Sequence, residues 1–296
     1  MRNRFESDSE DERYGERSGL GGILRSLLAG IPWSDRAETE EQFELDAPAG
    51  GVKIHNANGR TRVLGEDRDN IAVRAVKHAR AESTEAAERL LDAIRVTATE
   101  AGENLELDVV IPRKWNRHGN VHLEVRLPRT IQVAVIASNG RLCLEGMRNS
   151  VRARSSNGPV HVEDVVGDLQ VHTSNAKIVC QCTSGRLMAR SSNGKIELRD
   201  HRGPVDASTS NGVISAYLAD VGEGGIVLAT SNGRIILTLP ENVDADIDMR
   251  VDNGVIRNDR VLASQTRESN GRVRGTLGRG GSLIKLRTSN GTISLR

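Results

Sequence analysis

The chain has few aromatic residues: two Phe, two Tyr and two Trp among 296 residues. A core of ordinary cross-section draws much of its buried area from such rings. This core must therefore be thin, built from Val, Ile, Leu, Ala and small polar side chains. The same scarcity removes the stacking platforms on which single-stranded nucleic acid binding rests. A net charge of one sign is also missing, since 41 basic residues stand against 40 acidic ones. No whole-protein field draws the chain to nucleic acid, and nucleic acid is not an expected partner. Cysteine is limited to Cys143, Cys180 and Cys182. An odd set without CxxC spacing predicts neither a disulfide framework nor a metal site, and no cofactor is expected.

Long apolar runs are absent as well. Residues 20–31 place Ile23, Leu24, Leu27, Leu28 and Ile31 at helical spacing, but the stretch is short and contains Arg25. The acidic run from Asp8 to Glu12 precedes it, which does not suit a signal peptide. Residues 1–40 are read as a disordered acidic tail and a short amphipathic helix that docks on protein, with an interfacial membrane anchor as the alternative. The expected location is the cytoplasm or the inner membrane face.

What the chain does have is a repeat. Ser-Asn-Gly recurs at Asn139, Asn157, Asn193 and Asn211, and Ser174-Asn175-Ala176 fills the gap, so five asparagines stand 18 residues apart. The series continues at Asn232, Asn253, Asn270 and Asn290, and Asn58-Gly59 is a forerunner. Half a repeat away, Asn149, Gly167, Gly185 and Gly203 keep the same step. Asn and Gly tolerate left-handed backbone, so both series are read as turns. Between them apolar residues alternate with polar ones, as in Val133, Val135, Ala137 before one Asn and Leu142, Leu144 after it. The same residue types return at the same offsets in each repeat, which favours stacked coils over a hairpin meander. The predicted fold is all-β: a right-handed parallel β-helix or β-solenoid of 18-residue coils with one or two short helices near the N-terminus. The solenoid is assigned to residues 41–296: an irregular part at 41–130 with a helix near 83–95, then regular repeats at 131–296. The Asn series is expected to form a buried or half-buried structural ladder. The last coil, ending at Ile293-Ser294-Leu295, is expected to be uncovered and to favour self-association through the solenoid ends.

The strand Val121–Leu127, followed by Pro128, Val133-Ala134-Val135 and Ser138-Asn139-Gly140, resembles the signature of a bacterial β-strand-repeat family known as putative adhesins, a domain of unknown function. The resemblance spans about residues 41–296. It implies a parallel β-helix and brings no catalytic or binding residues with it.

Three constellations remain as chemical candidates. Glu145, Glu163, Glu197, Asp200, Asp206 and Asp220 could converge as sugar-hydrolysing carboxylates, but solvated turn charges are the simpler reading. Cys143 and His161 share one outward offset in adjacent coils, without an evident third group to orient the imidazole. The clearest feature is a basic edge flanking the Asn turns, at Arg141, Arg154, Lys177, Arg190, Lys195 and Arg234, continued by His172, Arg250, Arg272 and Arg287. It is a candidate anion-binding stripe for a polysaccharide, a membrane surface or an acidic protein. The expected function is a non-enzymatic scaffold or interaction protein. The alternative is an adhesin-like surface protein that binds glycans or other anionic ligands, and a carbohydrate-active enzyme is a remote third.

Overall fold

The computed structural model describes residues 35–113, 118–268 and 271–296. The predicted amphipathic helix at 20–31, Trp115 and Asn270 lie outside the described residues. Residues 35–40, assigned to the tail from sequence, belong to a strand, Asp35–Asp46.

The regular part is a solenoid-like pile of parallel strands in two stacks. In the first, Val151–Ser155, Leu169–Thr173, Leu187–Ser191 and Val205–Asn211 pair in register, so that Val151 lies over Leu169, Leu187 and Val205 in turn. In the second, Leu142–Glu145, Val160–Val166, Ile178–Ser184, Ile196–Arg202 and Ile214–Asp220 do the same. Alternation decides which side chains face inward. Val151, Ala153, Leu169, Val171, Leu187 and Ala189 are all buried, while the intervening Arg152, Arg154, Gln170 and His172 are exposed. Alanine and hydroxyl residues next to the turn keep the two stacks close, which is why the core needs almost no rings. Long strands at Ile226–Thr238, Ala245–Asn258 and Ser282–Leu295 run through the turn and join both stacks into one 22-stranded sheet.

The turn chemistry differs from the expectation. Among the described residues no ladder asparagine adopts a left-handed backbone, and of the non-glycine residues only Asp164, Cys182, Asp200 and Ser264 do, with φ of 51°, 50°, 52° and 51°. The first three are the corner of successive coils, and the corner returns Val165, Thr183 and His201 to the interior. The Ser-Asn-Gly glycine is required for a different reason. A Cβ on Gly158 would stand 1.6 Å from the Gly140 carbonyl oxygen one coil away. The buried Ser155 hydroxyl accepts the Gly158 N–H at 3.1 Å, and Ser191 does the same for Gly194 at 2.9 Å.

Chain order and stack order part company at both ends. At the start, strand Gly51–Asn58 lies between Asn104–Val110 and Gln132–Asn139. At the end, Ser282–Leu295 is not an uncovered coil. It pairs with Ile226–Thr238 on one side and with Ala245–Asn258 on the other. Insertion there satisfies both edges of the strand, which a terminal coil could not do. Antiparallel strands Arg272–Leu277 and Ala263–Glu268 extend the first stack beyond it. At the opposite end, Asp35–Asp46 pairs antiparallel with Asn70–Ala81, and that strand pairs with Gly119–Pro128. The helix, α1 (Thr84–Ala93), is capped by Ser83, whose hydroxyl accepts the Ala86 N–H at 3.2 Å. Its Ala87, Leu90 and Leu91 are buried, and it packs on strands Asp35–Asp46 and Asn70–Ala81.

Candidate binding faces

The asparagine series forms one continuous chain of side-chain hydrogen bonds. Asn139 donates to Asn58 at 2.8 Å, and Asn157, Asn175, Asn193 and Asn211 each donate to the asparagine one coil before, at 2.9–3.0 Å. Asn232 donates to Asn211 and Asn290 to Asn232, both at 2.9 Å, and Asn253 donates to Asn290 at 3.1 Å. Every amide points the same way along the pile. The order 232, 290, 253 follows the stack, not the chain. From Asn139 onward these side chains are exposed, so the ladder is an outer seam and not the buried one expected.

That seam divides the predicted basic stripe between two faces. Lys177 and Lys195 lie on the outer face of the second stack, where both bond Glu197, at 2.7 and 3.0 Å, and Arg199 bonds it too. Glu197 is 4% exposed, and the hydrogen bond from Lys177 is the main cause that holds its carboxyl down at about 2. The same face pairs Arg62 with Glu145 at 3.2 Å and His161 with Glu163 at 3.2 Å. The sequence showed no group orienting His161; Glu163 is that group. No hydrogen bond joins His161 to Cys143, although the two residues are register partners. Arg141 and Arg234 make no ion pair among the described residues.

The outer face of the first stack is different. Arg190 is held by Asp206, with one bond of 2.7 Å and a second to the other carboxylate oxygen. Arg152 and Arg154 make no ion pair among the described residues. They lie in a depression of about 340 Å³ lined also by Ala134, Ile136, Gln170, His172 and Met188. Four successive strands supply these side chains, in the columns Ala134–Arg152–Gln170–Met188 and Ile136–Arg154–His172–Arg190. No carboxylate lines it, and Ile136 and Met188 are 41% and 39% exposed. Burial, then the charge of Arg154, holds the His172 imidazole below its ordinary value. Arg152, five residues before Asn157, lies outside the two offsets of the predicted stripe, two residues after and three before each Asn; it repeats the outward phase of Arg154 two residues earlier.

The six candidate carboxylates do not converge. Glu145, Glu163, Glu197 and Asp206 are each taken by a basic partner, Asp200 forms a corner, and Asp220 accepts the Val221 N–H at 2.8 Å. Among the described residues, no group of three His, Cys, Asp or Glu side chains is placed to hold a metal ion. A larger concavity of about 1070 Å³ lies where the start of the described chain meets the Asn seam, between Arg36, Glu38, Arg80, Asn120 and Asn139. His78 and His122 meet edge to face there, with ring centres 4.7 Å apart. His78 also contacts Glu38 at 3.2 Å, and His122 accepts the Arg60 N–H at 3.1 Å. Burial, then the His78 and Arg60 charges, lowers the His122 pKa. No helix among the described residues is long and apolar enough to cross a membrane.

These features define a class: β-solenoid-like repeat proteins whose coils are tied by a polar ladder. The family model described as Toastrack DUF4097 matches residues 49–296, and the chain belongs to that family. A comparison with curated proteins finds no match. Among solved structures, the chain is similar to a putative adhesin from Bacteroides fragilis, at 12% identity and a TM-score of 0.45, covering 90% of this chain and 100% of that one. A putative adhesin from Parabacteroides distasonis matches at 9% identity and a TM-score of 0.44, covering 88% and 97%. A putative lipid binding protein from the same species matches at 8% identity and a TM-score of 0.32, covering 87% and 97%.

Proposed function

We propose that the protein is a non-enzymatic interaction scaffold, a right-handed parallel β-solenoid of 18-residue coils that works in the cytoplasm or at the inner membrane face. The observation that carries this reading is the contrast between the two outer faces. On the second stack Glu145, Glu163 and Glu197 are each held by a neighbouring basic side chain. On the first stack Arg152 and Arg154 stand beside exposed Ile136 and Met188 with no counter-ion among the described residues. Rigid strands hold that patch, so binding costs little ordering. Self-association, if it used an end, would not use the charged strand Asp35–Asp46, whose Glu38, Glu40, Glu41 and Glu44 resist edge pairing. Strands Arg95–Ala101 and Ala263–Glu268 also pair on one side only, and a further edge is at residues 254–258, where Val255 is 53% exposed.

The test is affinity capture from the native host with the full chain, with a form lacking residues 1–34, and with Arg152→Gln/Arg154→Gln. A scaffold acting through this face retains partners in the first two and loses them in the third. Identical capture by all three counts against the reading.

A further inference from the structure

We propose that the depression around Arg152 and Arg154 receives the anionic head group of a lipid presented by a bilayer surface, with Ile136 and Met188 entering the interfacial layer. This rests on the reading of the protein as a non-enzymatic binding scaffold and names the ligand of its open face.

Charge selects the class of ligand. Arg152 and Arg154 leave the same strand on the same side, two residues apart, so their guanidinium groups can close on one phosphate. Among the described residues no carboxylate lines the depression, and Arg190 is already satisfied by Asp206. On the opposite face Lys177, Lys195 and Arg199 are by contrast already held by Glu197.

Shape and apolar exposure select the source. About 340 Å³ is near the lower bound of ligand sites, which run from about 300 to 1,000 Å³. It can take a head group but cannot enclose an acyl chain. The hollow is open on a flat sheet, and the apolar residues flank it. Further along the same outer face Val227 and Leu283 are 39% and 50% exposed. Arg152 and Arg154 flanked by exposed Ile136 and Met188 match a membrane surface better than a free amphiphile, which would leave its tail in water; farther along the face Asp206 and Asp248 are held by Arg190 and Arg272. A glycan would be better served by aromatic platforms, and among the described residues none lines the depression.

His172 reports on occupancy. Its register neighbours on this face are Arg154 and Arg190, with Arg152 diagonal to it and Asp206 engaged by Arg190. A phosphate bound at Arg154 offsets the charge that lowers the His172 pKa, so the imidazole titrates at higher pH when the site is filled.

The experiment is flotation of the full chain with vesicles of phosphatidylcholine alone and with added phosphatidylglycerol. Binding is expected only with phosphatidylglycerol and weakens with salt. Arg152→Gln/Arg154→Gln lowers partitioning about thirtyfold, from about 1 kcal/mol per basic residue at an anionic surface. Met188→Asp also weakens it, whereas Arg141→Gln/Arg234→Gln on the other face leaves it largely unchanged. Circular dichroism controls for folding, and the His172 resonance should titrate higher with short-chain phosphatidylglycerol. Absent binding, equal binding to pure phosphatidylcholine, or binding unchanged by the double substitution overturns the proposal. If vesicle binding fails while the double variant still loses a captured protein partner, the lipid is wrong and the scaffold reading stands. If capture is also unaffected, both fall.

Discussion

His201 makes the stability of the solenoid depend on pH in a defined window. It is 1% exposed, on the inward side of a corner, where the column Val165–Thr183–His201–Leu218 runs through successive coils. Its Nδ1 lies 2.9 Å from the Thr183 hydroxyl. Burial lowers its pKa from 6.5 to about 4. In the unfolded chain the imidazole takes its proton first, as pH falls through 6.5. The unfolded state therefore binds more protons between these two values, and stability is full above the upper one and lost as pH falls toward the lower one. At about 1.4 kcal/mol per pKa unit, the loss reaches about 3 kcal/mol in the limit and about 2 kcal/mol at pH 5. Urea unfolding followed by circular dichroism at about pH 7 and pH 5 measures it. The control is Thr183→Val/His201→Val, which copies Val165 into two coils and removes both polar partners together, so neither is left unsatisfied. The wild type should lose about 2 kcal/mol more than the control across this window. Equal losses, or a folded-state His201 that titrates near its ordinary value by NMR, would refute the reasoning.

Three further outcomes follow from the same geometry. Asn193→Ala removes two rungs of the outer ladder, the bonds to Asn175 and from Asn211, and should cost about 1–2 kcal/mol in urea unfolding; no change would mean the seam is ornamental. Gly291→Ala should cost more than about 2 kcal/mol, because φ is +150° and the new Cβ would stand 1.7 Å from the Gly233 oxygen in the coil beside it. A thiol reagent should label exposed Cys182 in the native state and reach buried Cys180, whose thiol burial pushes up to about 12, only after unfolding.

Much of the coil was legible in the sequence because stacking repeats each constraint. Val133, Val151, Leu169, Leu187 and Val205 return at one offset since each packs on its counterpart one strand away. The order of the ends was not legible. Asn253-Gly254 and Asn290-Gly291 carry the same turn signal, so the pattern accepts either beside Ile226–Thr238; the choice falls to the one that leaves Ala245–Asn258 free to pair with Arg272–Leu277. Offsets also say where a cation points and not what it meets. Arg154 and Arg190 share an offset, yet only Arg190 has a carboxylate, Asp206, diagonal to it on the next coil.

The proposed binding surface is one outer face of the solenoid, that of the first stack. Spin labels placed at Met188→Cys and, separately, Tyr217→Cys, in a chain with Cys143 and Cys182 replaced by Ser, test this most directly, because the two positions are 39% and 45% exposed on opposite stacks. With phosphatidylglycerol vesicles, the label at 188 should lose mobility and gain collisions with lipid-soluble oxygen, while the label at 217 stays as it is in solution. Insertion of the label at 217, or no change at 188, would contradict the claim.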